Sequence, residues 1–348
     1  MTQNINIGLA GCGRIASLVY LNMLNKIPGL KLIAIAESDS AIREKAGKSA
    51  LDVTIYPDYN DLLGDPDINA VIICLPNHLH AQAAIAAFNN GKHVYLEKPI
   101  AVKRTEAEGV ITVWKESNLV GMTGFNLRFN PLYRALKEHV KTGIIGDVTC
   151  VRTVFTSPGR ALPEWKKRRS TGGGALLDLA SHHVDLIQYI LGNDVIEIYA
   201  RVRSHTTEDD NVVLEYKTSG NIDIQSYFSI NSADEDKIEV YGTLGKLTAD
   251  RYNSLNVEID TSDSAEMGRI RRLTRGIRSM LLSPNLIDKI LATGREPSFE
   301  LAISHFVSAM RGLQKASPDL LDGYKCLAVL EAAEESARTG RVIALQEC

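Results

Sequence analysis

The sequence predicts two domains: an α/β domain on a doubly wound parallel sheet, then an α+β domain with a large, mostly antiparallel, open-faced sheet. The length supports two domains, because 348 residues exceed the size at which one hydrophobic core normally stops growing. Short apolar strands alternate with helical segments up to Thr123, whereas strands follow one another from Val195 onward. We therefore divide the chain into residues 1–123 and 124–348.

The composition excludes several classes of protein. A hydrophobic content of 45% and a charged content of 23% are typical of a globular protein in water. The formal charge of −3 gives no whole-molecule attraction to nucleic acid or anionic membranes. The longest uncharged apolar run, residues 70–76, is too short to span a bilayer, and the N-terminus lacks a signal-peptide pattern. The five cysteines form no C-x-x-C pair, so we expect a cytoplasmic protein with reduced thiols and no bound metal.

The first strand and turn form a nucleotide-binding pattern. Residues 4–10 predict a strand, and Gly11-Cys-Gly13-Arg-Ile-Ala16 leads into an apolar-periodic helix that ends near Asn25. Gly11 permits the tight turn, Gly13 lets a pyrophosphate approach the backbone, and Ala16 allows close helix–strand packing. The free N–H groups of the helix start favour phosphate. This G-x-G-x-x-A pattern predicts a Rossmann-type dinucleotide site.

The end of the second strand indicates which dinucleotide is bound. The strand over residues 31–36 is followed by Glu37, whose carboxylate accepts hydrogen bonds from ribose hydroxyls and repels a 2′-phosphate. Ser38 and Asp39 come next, so these positions offer no arginine for that phosphate. The pattern favours NAD over NADP. The alternative is a solvated glutamate at a strand end.

The first domain continues with helix 41–50, strand 53–56, helix 58–64, strand 70–75, a helix after residue 80, strand 93–97, helix 105–117 and strand 119–123. Ligands bind such sheets at the carboxyl ends of the strands. Two polar segments, Pro76–His80 and Glu97-Lys98-Pro99, lie at such ends. We interpret His78 and His80 as loop groups beside the cofactor, because no cysteine or nearby acid completes a metal set.

The second domain is predicted to begin with a helix that has Pro131 near its first turn, and then a strand over 149–155. Trp165 and the basic cluster Lys166–Arg169 precede a glycine triplet and a helical run over 175–191. The later elements are several strands between 195 and 259 with turns at 219–221 and 242–245, helices 301–313 and 323–339, and a final strand 341–345.

The helix led by the glycine triplet carries candidate acid–base residues. At 100° per residue its polar face comprises Asp178, Ser181, His182, Asp185 and Tyr189. Asp178 and His182 are four residues apart and can touch, and a carboxylate that orients an imidazole serves general acid–base catalysis. A plain helix-surface contact is the alternative. The adjacent histidine, at position 183, lies on the apolar face and is interpreted as core packing.

Three groups of basic residues each allow two or more interpretations. Lys98 follows a parallel strand, where its ammonium could face a substrate oxygen, contact a phosphate or lie on the surface. Lys166–Arg169 predicts an anionic substrate such as a sugar phosphate, or else a solvated loop. The arginine-rich run 269–278, with interleaved apolar residues, favours a solvated or subunit-contacting helix over a membrane-surface or anion-binding one.

The chain resembles the Gfo/Idh/MocA oxidoreductases, the family of glucose–fructose oxidoreductase and inositol 2-dehydrogenase. The resemblance rests on Gly8–Ala16, Leu75–His80, Glu97-Lys98-Pro99, Arg128 and Gly172-Gly-Gly with Asp178 and His182, and it extends to Asp322–Gly340. It implies a dehydrogenase or reductase that transfers a hydride between NAD and a secondary alcohol or ketone of a sugar, cyclitol or possibly anionic sugar derivative.

The resemblance also implies roles for individual residues. The catalytic set is Lys98, Asp178 and His182, with His182 as the base and Lys98 bound to the reacting oxygen. The implied cofactor site comprises Gly11, Gly13, Arg14, Ile15, Glu37, Leu75, Asn77, His80, Glu97 and Lys98. The implied substrate site comprises Lys98, Asn126, Arg128, Trp165, Asp178 and His182. A cis peptide before Pro99 and a homodimer or homotetramer through the second-domain sheet are implied as well.

Two other functions stay open. Some relatives hold NAD tightly and cleave glycosides or carry out another redox-assisted elimination, which releases no net NADH. A cofactor-binding regulator without catalysis would lack the reactive set, whereas Lys98, Asp178 and His182 are all present. Residues 251–295 depart from the family pattern, so the substrate's identity and the direction of the reaction stay open.

Overall fold

The computed structural model describes residues 4–49, 52–261 and 296–345. Among these, contacts define two compact units. The first comprises residues up to Asn126 together with Arg168–Gly172 and Phe299–Ala328, and the second comprises the remainder. The first unit therefore extends past the predicted boundary at residue 123 to Asn126, and it includes two later segments of the chain.

The strands in chain order are β1 (Ile5–Ala10), β2 (Leu30–Ala36), β3 (Thr54–Tyr56), β4 (Ala70–Ile73), β5 (His93–Leu96), β6 (Gly121–Thr123), β7 (Val148–Thr156), β8 (Val195–Arg203), β9 (Asn211–Thr218), β10 (Asp223–Ser229), β11 (Glu235–Gly242), β12 (Gly245–Asp250), β13 (Glu258–Thr261) and β14 (Ile343–Ala344). The first six strands lie in one sheet and the other eight in a second sheet.

The α-helices are α1 (Leu21–Met23), α2 (Ser40–Ser49), α3 (Tyr59–Gly64), α4 (His80–Asn89), α5 (Arg104–Ser117), α6 (Pro131–Lys141), α7 (Ser181–Leu191), α8 (Ser298–Met310) and α9 (Leu320–Thr339). A π turn, Ala16–Tyr20, precedes α1, and a second π turn, Leu176–Ala180, precedes α7. Among the helices of residues 4–49, 52–261 and 296–345, none combines the length and the hydropathy of a membrane-spanning segment.

The sheet of the first unit has the order β3-β2-β1-β4-β5-β6, and all its pairs are parallel. The apolar run of β4 is buried throughout, as expected for a strand covered on both faces. Phe299 and Phe306 of α8 make edge-to-face contacts with Tyr20 and Tyr95. The predicted doubly wound parallel sheet is confirmed, and α8 forms part of its packing.

The sheet of the second unit has the order β13-β12-β11-β7-β10-β9-β8-β14. Every adjacent pair of these described strands is antiparallel except β7 and β10. In β9 the side chains of Val212, Leu214 and Tyr216 are buried, whereas Val213 and Glu215 are exposed. This alternation confirms a mostly antiparallel sheet with one buried face.

Helices α6 and α7 pack together, and the π turn before α7 contacts β7 and β10. Pro131 occupies the first turn of α6, as predicted, and the Asn130 side chain accepts a hydrogen bond from Leu132 N at 2.9 Å. The final strand was predicted over 341–345 and is found as β14, paired with β8. The arginine-rich run 269–278 lies outside the described residues.

Two helical glycines of the first unit provide a matched test of packing. A Cβ at Gly323 in α9 would overlap Ile100 and lie 2.8 Å from Thr123 Oγ1, whereas at Gly109 in α5 the nearest atom, on Ile85, is 3.5 Å away. Replacing glycine by alanine stabilises a helix by about 1 kcal/mol at either site. At Gly323 alone the added methyl group also overpacks its neighbours, which costs roughly 1–3 kcal/mol. We expect Gly323→Ala to lower and Gly109→Ala to raise the free energy of unfolding, measured by chemical denaturation. Equal effects would contradict the packing described for α9.

Candidate active site

The turn after β1 has the backbone geometry that a pyrophosphate requires. Gly11 has a φ of +90°, and a Cβ there would lie 2.5 Å from the carbonyl oxygen of Cys74. At Gly13, which is exposed, no described atom lies within 4 Å of where a Cβ would be. Arg14 and Ile15 follow, also exposed. Gly11 therefore makes the turn possible, and Gly13 leaves its backbone open to a phosphate.

The Glu37 carboxylate is fixed beside this turn. Its Oε2 accepts a hydrogen bond from Cys12 N at 2.8 Å, and its Oε1 accepts one from Asp39 N at 3.0 Å. Burial and the Glu37 charge together raise the pKa of the Cys12 thiol to about 12, so the thiol stays protonated. A carboxylate held here fits a dinucleotide whose adenosine ribose has free hydroxyls.

Arg43, in the first turn of α2, supports this loop and was not predicted from the sequence. Its Nη1 donates to the carbonyl oxygens of Glu37 at 2.7 Å and Ser38 at 2.9 Å. Positions 38 and 39 offer no arginine, but the first turn of α2 brings Arg43 back to them. Helical periodicity could have identified it. These two bonds support the loop that carries Glu37.

Asn77, after β4, is held by the first glycine of the triplet. Its Nδ2 donates to the carbonyl oxygen of Gly172 at 2.8 Å, and both residues belong to the first unit. Gly172 has a φ of +95°, and a Cβ there would overlap the Asn77 side chain. Leu75, just before, is half-buried. The triplet therefore contributes to the first unit before its chain enters the second.

His80 joins the two polar segments at the ends of β4 and β5. Its Nδ1 lies 2.7 Å from the carbonyl oxygen of Pro99 and its Nε2 lies 2.8 Å from that of Leu75. The side chain is buried, and this burial lowers the pKa of His80. The interpretation of His80 as a loop group is wrong, because it is the first residue of α4. His78 is exposed, and it lies in the 3₁₀ turn Asn77–Leu79 rather than in an irregular loop.

Lys98 follows a buried carboxylate. Tyr20 donates its hydroxyl hydrogen to Glu97, and Lys98 N donates to Glu97 Oε2 at 3.2 Å. Gly124 packs against Glu97, where a Cβ would lie 3.0 Å from the Glu97 Cα. The peptide before Pro99 is cis, as the resemblance implies. The Lys98 side chain is half-buried at the carboxyl end of β5, the position predicted for it.

The glycine-led helix differs from the uniform α-helix that was predicted. Its first turn is the π turn Leu176–Ala180, so a 100° projection does not describe that part. The predicted polar face is also partly buried: Ser181 donates to Leu177 O at 2.7 Å, and Asp185 is 1% exposed. The periodicity of apolar residues could not predict the burial of Ser181 and Asp185. Ser181 is bonded to the helix backbone, and the partner of Asp185 is distant in the sequence.

The start of this helix is fixed by a loop between β8 and β9. Ala175 N donates to the carbonyl oxygen of Asp209 at 2.8 Å. The next residue, Asp210, is fully buried and accepts hydrogen bonds from the backbone N–H groups of His205, Thr206 and Thr207. Burial alone would raise the pKa of Asp210, but these bonds hold it below its ordinary range. These hydrogen bonds hold the loop that supports the start of the helix.

Asp178 and His182 lie in the second unit and are half-buried. Asp178 Oδ1 accepts a hydrogen bond from the Lys166 ammonium at 2.9 Å. The ring of His182 lies 5.9 Å from that of Phe155. The sequence placed Lys166 near the helix but associated it with a substrate anion. In the structure it contacts Asp178.

His183 is buried in the core, as predicted, but it is part of a polar network. Its Nε2 donates to Asp236 Oδ1 at 3.1 Å, and its ring stacks on Phe155. Among the described residues its Nδ1 has no hydrogen-bonding partner. Tyr133 donates to the same carboxylate, and Arg251 Nε donates to Asp236 Oδ2 at 2.6 Å. Asp236 was missed, although an acid at an inward position of an alternating strand is a signal for such a network.

The residues predicted to bind substrate are divided between the two units and differ in burial. Arg128 makes a two-pronged ion pair with Asp185, at 2.9 Å and 2.6 Å, and both are buried. Asn126, in the first unit, is 4% exposed, and Trp165, in the second, is half-buried. The predicted cofactor residues and Lys98 all belong to the first unit. No group of three or more potential metal ligands occurs in the part of the chain that the structure describes.

The basic cluster Lys166–Arg169 is divided among protein acceptors. Lys166 contacts Asp178, and Lys167 pairs with Glu164. Arg169 donates to the carbonyl oxygen of Val102. At least three of the four cations therefore have acceptors within the protein.

Both halves of the chain match models of one family. Residues 5–125 match "Oxidoreductase family, NAD-binding Rossmann fold", and residues 133–248 match "GFO/IDH/MocA C-terminal domain". The chain belongs to the Gfo/Idh/MocA family of oxidoreductases. Its first unit contains the NAD-binding domain of that family, and the protein is therefore an NAD-binding oxidoreductase.

Particular relatives include two bacterial proteins. The chain is 30% identical over 273 residues to the uncharacterized oxidoreductase YrbE of Bacillus subtilis, with 76% of this chain and 79% of that protein covered. It is also 30% identical over 276 residues to the myo-inositol 2-dehydrogenase of Thermotoga maritima, with 76% and 80% covered. A solved structure of a levoglucosan dehydrogenase in complex with NADH has the same fold, with a TM-score of 0.86, 24% identity, and 99% and 100% of the two chains covered.

Replacement of Asp236 tests the buried network. Burial would raise the pKa of Asp236, but Arg251, His183 and Tyr133 hold it below its ordinary range. Breaking a buried ion pair costs about 3–5 kcal/mol, so we expect Asp236→Asn to destabilise strongly at neutral pH. Because the depressed pKa stabilises the fold only while the carboxyl is ionised, the difference from wild type shrinks as the pH falls below about 4.

The measurement is urea denaturation at several pH values. Asp223→Asn, which changes an exposed carboxylate of β10, serves as the control and should shift stability by no more than about 0.5 kcal/mol. A pH-independent deficit in Asp236→Asn would contradict the ionised network.

Proposed function

We propose that the protein is an NAD-dependent dehydrogenase or reductase that interconverts a secondary alcohol and a ketone on a neutral sugar or cyclitol ring. The observation that carries this proposal is the intact reactive set Lys98, Asp178 and His182 in a chain of this family. The turn at Gly11, which is open to a phosphate, and the fixed Glu37 carboxylate support a cofactor site of the kind that this chemistry requires.

The proposed mechanism gives each residue one task. When bound, NAD supplies the nicotinamide C4 that takes a hydride from the carbinol carbon. His182 takes the proton of the hydroxyl, so the C–H and O–H bonds break and a C=O bond forms. Lys98 donates a hydrogen bond to the reacting oxygen and stabilises negative charge on it. Asp178 orients the imidazole, and in the reverse direction His182 returns the proton.

A neutral substrate is favoured by the partners of the basic cluster. Lys166, Lys167 and Arg169 each have an acceptor within the protein, so an anionic group would compete with carboxylates or a carbonyl for them. Relatives named for neutral polyhydroxylated compounds, a myo-inositol 2-dehydrogenase and a levoglucosan dehydrogenase, agree with this choice. Glu37 favours NAD over NADP because its charge repels a 2′-phosphate.

A substrate panel tests the proposed function. Inositols, anhydrosugars, neutral sugars, sugar phosphates and uronates would be supplied with NAD and NADP separately, and NADH or NADPH absorbance followed. We expect oxidation of a neutral polyol with NAD. Lys98→Met and His182→Asn should each lower kcat by about 10²–10⁴-fold, and His182→Asn should keep NADH binding.

Other outcomes of the panel lead to different conclusions. Turnover without net NADH would indicate a redox-assisted elimination, and comparable affinity for NADP would contradict the role of Glu37. Preference for anionic derivatives would contradict a neutral substrate. Losses of less than a few-fold in both variants would overturn the assigned mechanism.

We also propose that the protein forms a homodimer or homotetramer through the outer face of the second-unit sheet. Val213, Tyr227 and Val154 lie opposite one another across β9, β10 and β7, and Arg152 lies opposite Glu239 on the next strand. An apolar row flanked by opposite charges can be self-complementary about a two-fold axis. This arrangement supports association of like sheets.

A charge placed in the apolar row tests this assembly. Val213→Arg should dissociate the oligomer, because it would bring like charges together in the interface, and sedimentation velocity would show a smaller species. Leu313→Arg, at an exposed apolar residue of the first unit, is the control and should keep the wild-type size. A monomeric wild-type protein would overturn the proposal.

A further inference from the structure

Lys166 forms a partly buried ion pair with Asp178. The ammonium lies 2.9 Å from Asp178 Oδ1, and the two side chains are only 23% and 17% exposed. Lys167, the next residue, pairs with Glu164, whose side chain is 83% exposed. Two adjacent lysines thus have partners in contrasting environments. Exposed pairs contribute little, whereas a partly buried pair interacts more strongly because water screens it less.

The segment that carries Lys166 is held in place. It lies in the 3₁₀ turn Glu164–Lys167, in which Lys166 N donates to Pro163 O at 2.9 Å. Glu208 N donates to Lys167 O at 3.3 Å, and this links the turn to the loop that supports the start of the glycine-led helix. The position of the ammonium over Asp178 therefore follows from the fold of the second unit.

We propose that Lys166 is a positioning residue that sets the proton affinity of His182 by holding and partly neutralising the Asp178 carboxylate. This inference rests on the proposed function, in which His182 is the base. A carboxylate beside an imidazole stabilises the imidazolium, and a carboxylate shared with an ammonium does so less. Lys166 therefore keeps His182 unprotonated, and ready to accept the hydroxyl proton, at lower pH. Lys166 itself exchanges no proton in the reaction.

Other charged groups lie on the elements that support this pair. The turn of Lys166 also carries Glu164 and Lys167, and the loop between β8 and β9 carries Glu208 and Asp209. The core beside His182 holds a further set of ionisable groups, namely His183, Asp236, Tyr133 and Arg251. Replacing Lys166 leaves all of these in place, so a change in the pH profile is attributable to the Lys166–Asp178 pair.

The test is the pH dependence of kcat/KM for oxidation of the polyol found in the panel, measured on the full-length enzyme with NAD. Lys166→Met removes the charge and keeps much of the side-chain length. We expect the acid limb to move to higher pH by roughly half a pH unit or more, which is about a three-fold loss of kcat/KM on that limb. Lys166→Arg should keep the wild-type limb, and so should Lys167→Met, the matched control.

A double-mutant cycle shows whether the effect passes through Asp178. In an Asp178→Asn background, Lys166→Met should leave the remaining profile unchanged, because the carboxylate through which it acts is absent. A shift of the limb that persists in this background would overturn the proposed route. An unchanged limb in Lys166→Met, with a raised KM for anionic compounds, would assign Lys166 to substrate binding.

Misfolding and failure of the proposed function are distinguishable from failure of this inference. Circular dichroism and NADH binding report whether each variant folds. If Lys166→Met does not fold, Lys166→Gln is used in its place and compared with the charge-preserving Lys166→Arg. If the acid limbs of the kcat/KM profiles of these two variants coincide, the inference is refuted. A wild-type protein that oxidises no polyol would refute the proposed function. An active wild type with an unmoved limb in the neutral variants would refute only the role of Lys166.

Discussion

The second unit depends on one buried carboxylate. Asp236 is fully buried, and an ionised group in such a place costs several kcal/mol unless it is paired and hydrogen-bonded. Its donors come from three segments: Tyr133 on α6, His183 on α7 and Arg251 directly after β12. Moving any of these segments would leave a buried charge with fewer donors. Since His183 is next to His182 in the chain, the network also fixes the backbone from which the proposed base projects.

In the first unit, the buried carboxylate of Glu97 has a comparable role. Glu97 accepts a hydrogen bond from the hydroxyl of Tyr20, which belongs to the π turn that follows the glycine-rich turn after β1. It also accepts one from the backbone N–H of Lys98, at the end of β5. The close approach of Gly124 leaves no room beside it for a larger residue. Glu97 thus connects the turn suited to the cofactor with the lysine proposed to contact the substrate.

The parts of the fold that could be predicted depend on residues that are neighbours in the sequence. The apolar run of β4, the alternation in β9 and the turn at Gly11 each follow from a few consecutive residues. The features that could not be predicted depend on distant partners. Gly172 belongs to the first unit because its carbonyl oxygen bonds to Asn77, 95 residues earlier in the chain.

The same distinction between near and distant partners applies to the residues of the candidate site. Sequence spacing predicts Asp178 and His182 as an acid and a base, and helical position correctly assigned His183, rather than His182, to the core. It could not show that Asp178 has Lys166 as a partner, because the loop between them has no periodicity from which contacts can be inferred. The π turn at the helix start has no sequence pattern of its own either, so a uniform 100° projection misplaced part of the polar face.

Three aspartates around the glycine-led helix show how surroundings assign different tasks to one side chain. Asp185 is buried and completely engaged by Arg128, and Asp236 is buried among three donors, so both charges are committed to the fold. Asp178 is half-buried, and its charge is shared with the ammonium of Lys166. A carboxylate that must modulate a base needs a charge that the fold has not fully compensated. Of these three acids, only Asp178 is half-buried, and in the proposed mechanism its charge can therefore respond to the imidazole of His182.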